Sequence, residues 1–190
     1  MDAGLFTPAG NETTVRLQDG VNGYAGTADT YVASGRATTN YGTVTALRAD
    51  GSDGAAGRQI ALMRWNVASI PTNASIVDAS LTLDILNTST GTFDVYAMTA
   101  AWNEAGANWN NTLPTSNQGI LIGSFTPSTL GSHTLTLTGS GLSLIKGWAD
   151  GTIANNGIMI IDRASTDGLV ISSSEYGTPA ARPLLTVTYE

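Results

Sequence analysis

Ile76-Val77-Asp78-Ala79-Ser80-Leu81-Thr82-Leu83-Asp84-Ile85-Leu86 has a period of two. Val77, Ala79, Leu81, Leu83 and Ile85 fall on one side, Asp78, Ser80, Thr82 and Asp84 on the other. Successive side chains of a strand point to opposite faces of its sheet, so this is a strand with one face in a core and one in water. The same period recurs on both sides of it. Phe93 to Ala97 follows a Thr90-Gly91 turn and reads as the second arm of a hairpin. Leu135 and Leu137 alternate with threonines, as do Leu185, Val187 and Tyr189 near the end of the chain. Ile158-Met159-Ile160-Ile161 is apolar on both faces, as a central strand is. Leu142, Ile145 and Trp148 share a helical face between Leu142 and Ala149, and Asp150-Gly151 stops that helix. The expected fold is all-β: an antiparallel β-sandwich, jelly-roll-like, with at most one or two short helical turns. Residues 1–11 lack periodicity and read as a tail or linker before a single domain over residues 12–190.

Composition narrows the function. With 42% hydrophobic and 12% charged residues, the 190-residue chain can bury a sizeable core. Its one lysine and seven arginines face fifteen acids, for a net charge of -7. Nucleic acid and anionic membranes need clustered cations, so neither is an expected partner. No apolar run reaches the roughly 18 residues of a membrane span. Cysteine is absent, which excludes disulfides, thiolate metal sites and a cysteine nucleophile. The opening Met1-Asp2-Ala3-Gly4 reads as a start cut from a longer precursor, and the expected location is outside the cell or at its surface.

Nothing in the chain is arranged for catalysis. His133 is the single histidine, with no serine motif beside it, and one histidine without cysteine cannot furnish the usual zinc ligands. Most of the acids fall on outward strand positions (Asp78, Asp84, Asp94) or in turns (Asp50, Asp53, Asp150, Asp167), as solvated surface groups do. No phosphate-binding glycine motif is present.

Three groups of residues stand out from generic β-sequence. One is Gly20-Val21-Asn22-Gly23-Tyr24 with Ala28-Asp29-Thr30-Tyr31-Val32 and Thr39-Asn40-Tyr41-Gly42. The next is Met63-Arg64-Trp65-Asn66-Val67-Ala68-Ser69-Ile70-Pro71, leading into Ala74 to Leu83. The last is Trp102-Asn103-Glu104 with Asn108-Trp109-Asn110-Asn111. In this order, and with the ending Ser174-Glu175 and Arg182 to Tyr189, the chain resembles the DNRLRE-domain (disaggregatase-related) family from about Val15 to Glu190. Asn108 stands where that pattern has Thr, and Trp65-Asn66 where it commonly has Phe-Asp. The resemblance implies a β-sandwich in a non-catalytic role beside polysaccharide-active or surface-attached domains, and some members of the family are alginate-binding modules.

The leading expectation is a carbohydrate-binding module that attaches a larger secreted protein to a polysaccharide, neutral or anionic. The alternative is a structural or adhesive spacer of a cell-surface or fibre-forming protein. Arg36, Arg48, Arg58 and Arg163 can meet a sugar carboxylate or sulfate with bidentate hydrogen bonds. Tyr41 and Tyr176 are surface aromatics in loops, and Tyr96 can sit on an exposed sheet face. Trp102 and Trp109 either offer indole faces to a pyranose ring or pin an Ω-like loop over the sandwich end. Arg64 starts from an apolar face, with Asp29 or Glu175 as expected partner, and Arg182 is also structural. A structural calcium ion has two candidate positions: Asp50 with Asp53, or Asp29 with Glu175 if the first and last strands lie close together.

Overall fold

A computed structural model of the chain describes residues 11–52, 54–164 and 167–190. Residues 1–10 of the expected tail and Asp53 lie outside the described residues. The strands are β1 (Thr13–Leu17), β2 (Thr27–Ala33), β3 (Ala46–Ala49), β4 (Gln59–Trp65), β5 (Ile76–Asn87), β6 (Phe93–Met98), β7 (Gln118–Phe125), β8 (Gly131–Leu137), β9 (Ile158–Asp162), β10 (Leu169–Ser172) and β11 (Leu184–Tyr189). Two helices join them, α1 (Trp109–Thr112) and α2 (Ser140–Asp150).

The strands form two antiparallel sheets. In one, β5 pairs with β8 on one side and with both β11 and β10 on the other, and these lead to β1 and β3. The other runs β2-β4-β9-β6-β7. Within this frame β3-β10-β5-β8 faces β4-β9-β6-β7, and each of β3, β5, β7 and β9 is followed by a strand of the opposite sheet. That double crossing is the jelly roll.

The founding strand behaves as its alternation requires. Ala79, Leu81, Leu83 and Ile85 are buried in the core, but Val77 is 39% exposed. Tyr189 pairs with Ile76 and Thr188 with Asp78, so Val77 is the extra residue of a bulge that returns Ile76 to the core face. The hairpin expected across Thr90-Gly91 does not form. Both edges of β5 are occupied, and β6 pairs instead with β7 and β9 in the facing sheet. The turn makes the crossing, held by Ser89, whose N–H donates to Pro127 O and whose hydroxyl donates to Asp167 O.

β4 and β9 are buried on both faces, and this divides the core. Ala61, Met63 and Trp65 with Ile158 and Ile160 face the sandwich interior. Ile60, Leu62, Met159 and Ile161 face outward into a second core with Val32, Met98, Trp102 and Ala107. The loop of residues 99–117 is therefore a cover over the outer face of the second sheet rather than a cap on the sandwich end. α2 reaches beyond the expected Leu142 to Ala149 and buries Leu144, Ile145 and Trp148 beside β5, β7 and β8. It ends at Gly151, whose φ of 77° is the left-handed conformation a helix C-terminus needs. Among the described residues no helix is long and apolar enough to cross a membrane.

Candidate functional site

β2 is an edge strand, and its unpaired backbone is where distant parts of the chain meet. Asp29 lies in its middle with no exposed surface, and Tyr31 follows on the same face. From the second sheet's cover, Glu104 reaches the strand edge and its Oε1 accepts the Asp29 N–H at 2.7 Å. From the loop after β10, the Ser174 N–H donates to Asp29 Oδ2 at 2.7 Å, and the Ser174 hydroxyl donates to Glu175 Oε1 at 3.0 Å. The loop after β2 completes the corner. Asn40 Nδ2 donates to Glu104 O at 2.6 Å and to Ala107 O at 2.8 Å. Gly42 lies against the Glu104 carbonyl so closely that a Cβ there would run into it.

The result is three carboxylates, of Asp29, Glu104 and Glu175, each offering an oxygen within 4.8 Å of the others. Two full charges at that separation repel by roughly 3 kcal/mol at an effective dielectric near 20. Burial, and then the charge of Glu175, push the Asp29 carboxyl well above its ordinary range. Burial likewise raises Glu104. Asp29 Oδ1 and Glu175 Oε2 are buried with no hydrogen-bond partner among the described residues. Arg64 does not neutralise the group by an ion pair: its guanidinium lies 5.4 Å from the centre of the Trp102 ring, and its Nη1 donates to Trp102 O. The expected pairing of Arg64 with Asp29 or Glu175 is thus replaced by an aromatic and a carbonyl partner. The Asp29 and Glu175 pairing expected for a metal is formed, with Glu104 as its unforeseen third member. Asp50 stands apart, its Oδ2 accepting Gln59 Nε2 at 3.2 Å where β3 bridges to β4.

Along the same edge the tyrosines and arginines gather. Tyr41 stacks on Tyr31 with ring centroids 4.1 Å apart. Burial and Tyr41 raise the Tyr31 phenol, while nearby Arg48 pulls it the other way. Arg48 is exposed on β3 and lines a hollow of about 140 Å³ with Asp50, Gln59, Asn87, Gly168, Leu169 and Val170. Arg58 enters β4 beside that bridge, and its backbone is bonded to Ser34 in the turn that carries the exposed Arg36. Arg36 and Arg58 make no side-chain hydrogen bond or ion pair among the described residues.

The other expected ligand residues are placed elsewhere. Arg163 is bound to Asp94 through Nε at 2.9 Å and through Nη2, with the Ser124 hydroxyl also on Asp94 at 2.6 Å. Its fork is already occupied. Tyr96 packs on the second core. Trp102 is 7% exposed, with its Nε1–H donated to Asn156 O at 2.8 Å and Arg64 over its ring, so it offers no open face. Trp109 opens α1 and is half-buried against the second core. Tyr176 is half-buried, and its carbonyl accepts Arg182 Nε.

Sequence reasoning missed Glu104 and Tyr31. Glu104 is the one acid in the loop flanked by two tryptophans, and that position was its available signal.

A model of the carbohydrate-binding module family 96 matches residues 22–188 of the chain. No curated protein matches it.

Proposed function

The chain belongs to carbohydrate-binding module family 96, and from that premise we propose that it binds an acidic polysaccharide along the β2 and β3 edge without making or breaking a bond. The observation that carries this is the partition of six of the seven arginines, Arg16 standing exposed on β1. Arg64, Arg163 and Arg182 are engaged by Trp102, Asp94 and the carbonyls of Tyr176 and Asp19. Arg36, Arg48 and Arg58 collect on one edge, beside the Tyr31 and Tyr41 stack and a polar hollow. A guanidinium matches a uronate carboxylate with two parallel hydrogen bonds, and Gln59 and Asn87 in the hollow can meet ring hydroxyls. The resemblance to the DNRLRE family and its alginate-binding members supports a polyuronate. In this reading the domain attaches a larger secreted protein to its polysaccharide.

Affinity electrophoresis in gels containing alginate, pectate or a neutral β-glucan tests the proposal. Retardation by a uronate gel is expected. Arg48→Ala and Arg58→Ala should each weaken it by about tenfold or more, the loss of one charge-assisted contact worth roughly 1.5–3 kcal/mol. Arg163→Ala should leave it unchanged. If no polysaccharide retards the protein, the proposal is wrong.

A further inference from the structure

Four stretches from near the start, the middle and near the end of the described chain converge on one corner: Asp29 on β2, Asn40 to Gly42 in the next loop, Glu104 in the cover, and Ser174-Glu175 after β10. We infer that Asp29, Glu104 and Glu175 are the carboxylate ligands of a calcium ion that fastens the cover and the Tyr41 loop to the sandwich edge. This deepens the glycan-binding reading, on which only its functional consequence rests; the metal site stands on its own geometry.

Acidic side chains often cluster without a metal, so the argument turns on what this cluster lacks. Asp29 has no exposed surface, yet its Oδ1 has no hydrogen-bond partner among the described residues, and Glu175 Oε2 is in the same position. A buried carboxylate oxygen left without a donor is costly unless something positive reaches it. No guanidinium or ammonium ion-pairs with the group among the described residues, since the single ion pair they contain is Arg163 with Asp94. A cation supplies what the two unpartnered oxygens lack and offsets the charge of all three carboxylates.

The donor set selects the ion. All three ligands are carboxylate oxygens, which suit hard cations, and His133 lies on β8, at the opposite edge of the sandwich. Oxygens bound at about 2.4 Å to one calcium lie within about 4.8 Å of each other, and these three do. Magnesium demands a tighter octahedron at about 2.1 Å and keeps most of its waters. Ligands drawn from an edge strand and two loops form a looser cage, which calcium accepts. The ion also has structural work here. Glu104 is joined through its carbonyl to Asn40, next to Tyr41, so fixing Glu104 fixes the loop that stacks Tyr41 on Tyr31.

The test is thermal unfolding of the whole chain at neutral pH, stripped with chelator and then titrated with calcium or magnesium, with no glycan present. Calcium should raise the midpoint with the logarithm of its concentration, by roughly 5–10 °C at a hundredfold excess over its dissociation constant. Magnesium should raise it less, and equilibrium dialysis should count one calcium per chain. Glu104→Gln should fold in chelator and weaken calcium binding at least tenfold; Asp29→Asn, if it folds, should abolish it. A chelated wild type unmoved by millimolar calcium overturns the inference. So does an equal calcium response in Glu104→Gln. Because no sugar enters the experiment, failure here and failure of polysaccharide binding are separately visible.

Discussion

At the scale of single residues, the clearest electrostatic contribution is the pair formed by Asp94 and Arg163 on the outer face of the second sheet. The Asp94 side chain is 9% exposed and accepts hydrogen bonds from Arg163 Nε, the Ser124 hydroxyl and, at 3.5 Å, the Tyr96 hydroxyl. Hydrogen bonding from Arg163 is the main cause that holds its carboxyl below the ordinary 3.8, against the cost of burial. A folded value below the unfolded one means that the native state holds this proton less tightly. The stabilisation is therefore full above pH about 4 and is lost as pH falls through the depressed value. Arg163 is half exposed, so solvent screens the pair and limits its worth. Asp94→Asn should cost about 1–2 kcal/mol at pH 7. In urea denaturation the gap between variant and wild type should close as pH is lowered below 4. A gap of constant size down to pH 2 would show that the pair acts through packing, not charge.

At the scale of elements, the loop of residues 99–117 shows where reading a sequence succeeds and where it stops. Local alternation made β5 and the doubly apolar β9 legible, because a strand's period is a property of neighbouring residues. Pairing is not local, and so the connection after β5 was misread: Thr90-Gly91 has a turn's composition whether the chain folds back beside β5 or crosses to the facing sheet. The loop's covering role was hidden for the same reason. Ile60, Leu62, Met159 and Ile161 announce a second buried face, but nothing in their spacing says what buries it. Asp29 and Glu175 could be paired on their chemistry, whereas Glu104 joins them only because this loop returns to the edge of β2. Trp102 anchors the return, with its N–H on Asn156 O and its ring under Arg64. Trp102→Phe keeps an aromatic ring but strips a buried carbonyl of its donor, at roughly 1–2 kcal/mol. Calorimetry should show the midpoint falling by about 2–8 °C. Retardation by polysaccharide should be unchanged, and a loss of binding at intact stability would return Trp102 to the list of sugar-contacting residues.

At the scale of the whole molecule, the charge distribution sets a condition on how a polyanion can approach. The chain carries a net charge of -7, while Arg36, Arg48 and Arg58 stand on one edge. Beyond contact distance an approaching uronate chain meets the net charge, which repels it. At contact it meets the guanidinium groups, which hold it. Salt acts differently on the two. The Debye length shrinks from about 30 Å at 0.01 M to about 8 Å at 0.15 M, which removes most of the long-range repulsion. Hydrogen-bonded contact pairs are shorter than either length and lose less. The association rate for a uronate oligosaccharide should therefore rise as ionic strength goes from about 10 to 150 mM. A protein whose whole surface is basic shows the opposite slope, because steering then favours the encounter. Dissociation should quicken only modestly over the same range, as the contacts weaken. Stopped-flow or surface-based kinetics with sodium chloride as the only variable separate the two rates. A falling association rate would mean that the arginine edge dominates the field well out into solution, and that the net charge of the molecule is not what an incoming glycan meets.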